Sequence, residues 1–160
     1  MEKETLKNIF NFLEKEENKM PQDKGSFKWK VIFNELTYDE LNINGDLELS
    51  YTKVTSLPEG LRVRGNLNLD YSEITSLPEG LSVGGSFDLS NTNITSLPER
   101  LEVAGNLYLG HSFIKSLPKD LKVGGTLYIY KSPLKEYTNE ELREMVKPGF
   151  LKGGIYRGRG

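Results

Sequence analysis

LSVGGSFDLSNTNITSLPER, residues 81–100, has a copy on either side in unbroken register: LRVRGNLNLDYSEITSLPEG at 61–80 and LEVAGNLYLGHSFIKSLPKD at 101–120. A more divergent copy starts at Leu41 and another at Leu121, and no insertion shifts the spacing between Leu41 and Tyr137. A unit this short cannot bury an apolar face by itself. Self-similarity at a fixed period of about 20 residues therefore means coils that stack on one another as a solenoid.

Within residues 81–100 the apolar positions are Leu81, Val83, Phe87, Leu89, Ile94 and Leu97, and the stretch from Leu81 to Leu89 alternates around Gly85. Alternation with a period of two places these side chains on one face of extended backbone. The columns they head, such as Leu61, Leu81, Leu101, Leu121 and Ile74, Ile94, Ile114, Leu134, are expected to stack inward as aliphatic ladders. A glycine recurs between the two alternating halves, at Gly45, Gly65, Gly85, Gly105 and Gly125. It reads as a bend between two short parallel strands, set either by a positive φ or by an approach too close for a Cβ. Pro58, Pro78, Pro98 and Pro118 lack a donor and mark a corner outside the hydrogen-bonded ladder. Thr52, Ser72, Thr92, Ser112 and Ser132 end the second strand with a hydroxyl, which is expected to satisfy turn amides.

A chain of 160 residues is one domain's worth, and the absence of cysteine excludes a disulfide scaffold and thiolate metal sites. The opening MEKETLKNIFNFLEKEENKM scatters charge through its apolar residues, which fits neither a secretory signal nor a membrane span. The expected location is the cytoplasm of a bacterial or host cell. Formal net charge is −2, with Lys147, Lys152, Arg157 and Arg159 clustered after residue 146; without those four positive charges the rest of the chain stands at −6. So acidic a body is no footprint for nucleic acid.

The ends divide from the array. Residues 1–40 read as an N-terminal cap: an amphipathic helix over 3–19 carrying Leu6, Ile9, Phe10 and Leu13, then an alternating strand from Phe27 to Phe33 that contains Trp29. Residues 41–137 are the coils. Residues 138–160 form a capping helix followed by a basic glycine-rich tail. Thr138 and Glu141 are placed for a capping box, the helix runs to about Val146, and Pro148 and Gly149 stop it. The tail GFLKGGIYRGRG has two readings. Arg157, Arg159 and Tyr156 could contact a nucleic-acid backbone and stack a base, or Ile155 and Tyr156 could add a strand that closes the cap.

The string L-x-L-x-x-[ST]-x-[IV]-T-S-L-P, as in LNLDYSEITSLP and FDLSNTNITSLP, resembles a bacterial leucine-rich repeat. It is similar to the short, 20-residue LPxxL type of bacterial effectors and to the LPEGLxVGGxLxL arrays encoded by bacterial and phage genomes. Two departures stand out. Thr or Ser replaces the asparagine that follows the strand in leucine-rich repeats, and an L-x-V-x-G strand replaces the second LP and its helical turn. The expected fold is mainly β, a right-handed leucine-rich-repeat or β-solenoid of about five coils with helical caps at both ends. The two departures leave open whether the cross-section is a horseshoe backed by helices or a two-sheet β-solenoid. The resemblance implies a recognition module. Arrays of this kind in phages and mobile elements imply an inhibitor that blocks a host defence enzyme by occlusion.

Function is then sought on the outward side chains of the L-x-L strand. They form the columns Glu48, Asn68, Asp88, Tyr108, Tyr128; Ser50, Asp70, Ser90, Gly110, Tyr130; and Tyr51, Tyr71, Asn91, His111, Lys131. The face is acidic at Glu48, Asp70 and Asp88, and turns aromatic and mildly basic at Tyr108, His111, Tyr128, Tyr130 and Lys131. Outward tyrosines bury area at low entropic cost and are common at interface hot spots; the plainer alternative is that they stiffen the sheet as cross-strand pairs. These residues, with Tyr51 and Tyr71, are the expected protein-binding set. No catalytic residue, cofactor or metal ligand is expected. His111 is the only histidine, and neither a G-x-x-x-x-G-K-[ST] loop nor a nucleophile elbow is present. The enzymatic alternative would pair Asp70 with Asp88 as acid and base on a carbohydrate-cleaving face.

Overall fold

The computed structural model describes residues 41–158. The expected N-terminal cap at 1–40, with its helix and the strand around Trp29, lies outside the described residues, as do Arg159 and Gly160. The protein is mainly β, and its parallel strands stack as a β-solenoid of about four turns. Each repeat contributes two very short strands, one to each of two parallel sheets. The first sheet is built from β1 (Asn42–Ile43), β3 (Arg62–Val63), β5 (Ser82–Val83), β7 (Glu102–Val103), β9 (Lys122–Val123) and β11 (Phe150–Leu151). The second holds β2 (Leu47–Glu48), β4 (Leu67–Asn68), β6 (Phe87–Asp88), β8 (Leu107–Tyr108), β10 (Leu127–Tyr128) and β12 (Ile155–Tyr156). Register follows the repeat strictly: Val63 pairs with Val83, Phe87 with Leu107, Tyr108 with Tyr128. Of the two cross-sections the sequence leaves open, the structure has the two-sheet one.

All six template positions, Leu81, Val83, Phe87, Leu89, Ile94 and Leu97, are buried, and their columns make one continuous core. Backbone groups are paired coil to coil. Leu67, Leu69 and Tyr71 donate to Ser86, Asp88 and Ser90 of the next coil, while Arg64 and Gly65 donate back to Ile43 and Gly45. The third side, around the prolines, has few such bonds, as expected where proline removes a donor.

At Gly65, Gly85, Gly105 and Gly125 the glycine column is explained by close approach. A Cβ on Gly85 would stand 2.8 Å from the carbonyl carbon of Gly65, and one on Gly105 would stand 2.8 Å from that of Gly85. Left-handed backbone lies elsewhere, at Gly60, Gly80, Arg100 and Asp120, and at Tyr51, Tyr71, Asn91, His111 and Lys131. The hydroxyl column also works differently from the expectation. Thr52, Thr92 and Ser112 donate to the carbonyls of Leu49, Leu89 and Leu109, closing the corner on an acceptor instead of capping an amide. The hydroxyls of Ser72 and Ser132 are buried without a partner.

A further polar column was not anticipated. Asp46, Asn66, Ser86 and Asn106 each accept, through the side chain, the backbone N–H of the next coil's residue at Asn66, Ser86, Asn106 and Thr126. The bend beside each glycine is thereby tied to its neighbour.

After β10 the chain makes a 3-10 turn at Pro133–Glu136 and a helix, α1 (Asn139–Met145), before returning to β11 and β12. Thr138 and Glu141 form the expected capping box, and α1 buries Leu142. Its exposed Glu141 carboxyl is held below the usual carboxylate range, chiefly by the Thr138 backbone N–H it accepts and then by the Thr138 hydroxyl. The segment read as a basic tail adds β11 and β12 to the two sheets, and the second of these is the strand that one of its two readings placed at Ile155 and Tyr156. Arg157 donates to the Asn139 side chain at 2.6 Å and to the Tyr137 carbonyl at 2.8 Å. Lys147 pairs with Glu144.

Candidate functional site

The outward side of the second sheet is set by its pleat. Leu107 and Leu109 point into the core, so Tyr108 must point out; the same alternation turns Glu48, Asn68, Asp88 and Tyr128 outward, where Asn68, Asp88 and Tyr128 are half-buried. Parallel pairing without any shift then makes each column a straight row, with coils about 4.8 Å apart. Three residues further on, the chain turns through the left-handed corners at Tyr51 (φ 56), Tyr71 (φ 54), Asn91 (φ 55), His111 (φ 55) and Lys131 (φ 53). Such backbone is costly for a side chain other than glycine, roughly 1 kcal/mol or more. It is held because the corner N–H groups are taken up by the next coil: Tyr51 by the Asp70 carbonyl, Asn91 by Gly110, His111 by Tyr130.

At the C-terminal end the aromatic residues meet as one patch. Tyr108 and Tyr128 stack with ring centroids 4.5 Å apart and planes 15° from parallel. Tyr156, on β12, continues the row at 5.4 Å from Tyr128. His111 meets Tyr130 edge-on at 5.5 Å, and the Lys131 ammonium lies 5.1 Å above the Tyr130 ring. The Asn106 amide donates to the Tyr108 hydroxyl at 3.1 Å, which fixes that ring's height. Together with Ser90, Asn91, Gly110 and Gly158 these rings line an open slot of about 510 Å³. Tyr156 was not among the expected site residues. Its place in the row follows from strand pairing and from no 20-residue spacing. A second hollow of about 360 Å³, lined by Ser112, Phe113, Ser132, Pro133 and Lys135, shares His111 and Lys131 with the first patch. Phe113 on its rim is more than half exposed.

The N-terminal half of the face is different. Tyr51 and Tyr71 stack at 5.0 Å, away from the other tyrosines. Glu48, Asn68 and Asp88 fold back on their own corner: each side chain accepts the backbone N–H two residues ahead, at Ser50, Asp70 and Ser90. The Asn68 amide also donates to Glu48 at 2.9 Å, and Asn91 donates to Asp70 at 3.0 Å. These carboxylates thus have a local structural task in addition to any outward one. Burial pushes the Asp88 carboxyl above its ordinary value; the Ser90 hydrogen bonds act against this, and repulsion from Asp70 and Glu48 adds to it.

A carboxyl raised in the folded state binds its proton more readily there than in the unfolded chain. Its contribution to stability is therefore full below about pH 3.9, the unfolded value, and is lost as pH rises through the folded value. Asp88→Asn keeps the acceptor for Ser90 and removes the charge. Its melting temperature should exceed the parent's at pH 7 and converge with it at pH 3. A parent that melts higher at pH 7 would mean that the Ser90 bonds outweigh burial.

Among the described residues no group of three or more His, Asp or Glu could hold a metal ion, and no helix is long and apolar enough to cross a membrane. Compared with known proteins, the chain matches no family model, no curated protein and no solved structure. What the face can do follows from its own side chains.

Proposed function

We propose that this is a non-enzymatic binding protein that holds a partner protein against the outward face of its second sheet. The observation that carries the reading is the contiguous patch of Tyr108, Tyr128, Tyr156 and Tyr130 beside His111 and Lys131, presented on paired strands around an open slot. A rigid row of tyrosines loses little entropy when covered, and burying such rings in a partner is worth about 2 kcal/mol or more at a hot spot. Asp88 lies one coil from Tyr108, with Asp70 and Glu48 further along the face, where charges act mainly on association rate. The resemblance to bacterial and phage leucine-rich repeats adds a setting: the cytoplasm of a bacterial or host cell, with occlusion of a host enzyme as the consequence of docking. The finer architecture that goes with this reading is right-handed, with five coils between residues 41 and 137 and a helical cap at each end. Its support is the unbroken repeat register and, for the C-terminal cap alone, α1.

The test is affinity capture from host lysate with tagged parent and with the Tyr108→Ala, Tyr128→Ala double variant, compared by quantitative mass spectrometry. A protein enriched by the parent and absent from the double variant is the expected result. A protein captured equally by both would place the site elsewhere.

A further inference from the structure

Gly110 is the one outward position where the repeat drops a side chain for no structural reason. The equivalent positions in other coils carry Ser50, Asp70, Ser90 and Tyr130, so the backbone there accommodates a side chain. Its φ lies outside the left-handed region, and a Cβ would meet only the Tyr130 carbonyl oxygen at 3.5 Å and Ser90 Oγ at 3.6 Å, ordinary contact distances. Gly65, Gly85, Gly105 and Gly125 of the bend column have no such room. What Gly110 does provide is space: it floors the slot walled by Tyr108, Tyr128, Tyr130 and Tyr156.

The slot's own lining contains no formally charged side chain, but its N-terminal wall leads to two. Ser90, in the wall, donates its N–H to Asp88 at 2.8 Å, and Asn91, beside it, donates to Asp70 at 3.0 Å. Of the charged groups acting on the Asp88 carboxyl, Asp70 and Glu48 are both repulsive and none is a cation. Lys131 sits at the opposite side, over Tyr130, and shows that a ring of this patch already serves as a platform for a cation. Flat aromatic walls, an open floor and carboxylates behind one wall suit a planar cation better than a compact one. A guanidinium stacks on rings, is weakly hydrated and directs several donors in its plane, and its three-carbon stem suits apolar walls.

We propose that the slot above Gly110 receives an arginine side chain from a basic segment of the partner, with the guanidinium laid against the tyrosine rings and its charge directed toward Asp88 and Asp70. This rests on the reading of the face as a protein-binding surface. It adds the partner's chemistry: a positively charged docking segment, complementary to Asp88 and Asp70 behind the slot's N-terminal wall.

The probe is the peptide acetyl-Gly-Gly-Arg-Gly-Gly-amide, titrated into the full ¹⁵N-labelled chain. The same peptide with citrulline or Glu in place of Arg, and adenosine monophosphate, serve as comparisons. The arginine peptide should shift the amides of Ser90, Gly110 and His111 with a millimolar Kd, and citrulline should bind at least about five-fold more weakly, the value of one cation–π and charge contact. Gly110→Leu should fill the slot and abolish these shifts without lowering the melting temperature. Asp70→Asn with Asp88→Asn should weaken binding and flatten its dependence on salt. Should Gly110→Leu melt early, Gly110→Ser, the residue found at 50 and 90, reads the same effect as a partial loss. Equal binding of citrulline, stronger binding of the Glu peptide or the nucleotide, or no shift at the slot amides would each overturn the arginine assignment. A captured partner weakened by Tyr108→Ala with Tyr128→Ala but indifferent to Gly110→Leu would keep the face and remove the arginine. Indifference to both would remove the two readings together.

Discussion

Ile94→Asp lowers the melting temperature by roughly 15 °C or more, or leaves the array unfolded at room temperature. Ile94 is fully buried between Ile74 and Ile114 in a column that runs the length of the core. The substitution removes a buried aliphatic side chain, about 3 kcal/mol or more, and places an unpaired carboxylate where no cation stands. Because neither neighbouring coil can bury its own face without the central one, the loss spreads to both. Circular dichroism and denaturant titration would report it as a single early transition. If the variant melts with the parent, position 94 does not face inward and the coil register is wrong.

Deleting residues 150–160 is expected to cost about 4 kcal/mol, or on the order of 10 °C in melting temperature. The deletion removes β11 and β12, and with them the buried Leu151 and the partly buried Ile155. Phe150, Lys152 and Gly153 would no longer donate to Leu121, Val123 and Gly125, and Leu127 and Ile129 would lose their acceptors at Gly154 and Tyr156. Arg143 and Arg157, which tie the end of the chain to α1 and its entry, lose or leave their bonds. A segment acting only as a solubilising tail would be deleted without change in melting temperature, and that result would contradict the structure.

The parts of the molecule most legible in its sequence are those that repeat. Two-residue alternation placed Leu81, Val83, Phe87 and Leu89 inside because a pleated strand offers no other choice, and the capping box at Thr138 and Glu141 announced α1. The left-handed corners were hidden, since Tyr71, His111 and Lys131 are not residues whose chemistry suggests a positive φ. Only the acceptors supplied by the next coil explain them. The column Asp46, Asn66, Ser86 and Asn106 did carry a signal, a short side chain with an acceptor oxygen directly after each glycine. Tyr156 carried a weaker one: Ile155 and Tyr156 read as a closing strand, but the passage through α1 breaks the 20-residue spacing, so only the pairing of β12 with β10 brings it beside Tyr128. Of the outward residues, Tyr108, Tyr128, Tyr130, His111 and Lys131 do come together, whereas Tyr51 and Tyr71 form a separate pair. Glu48 and Asp88 are engaged with their own corners to a degree that a column of letters does not reveal.

Partner binding at the tyrosine end of the second sheet, proposed above, is set against binding by the first sheet. It is tested by the affinity of the captured partner for three purified proteins: the parent, Tyr108→Ala with Tyr128→Ala, and Arg62→Ala with Lys122→Ala on the first sheet. Titration calorimetry should show the tyrosine variant about 30-fold weaker, equivalent to roughly 2 kcal/mol, with its melting temperature close to the parent's. The first-sheet variant should bind as the parent does. Parental affinity in the tyrosine variant, with binding lost in the first-sheet variant, would contradict the assignment of the face.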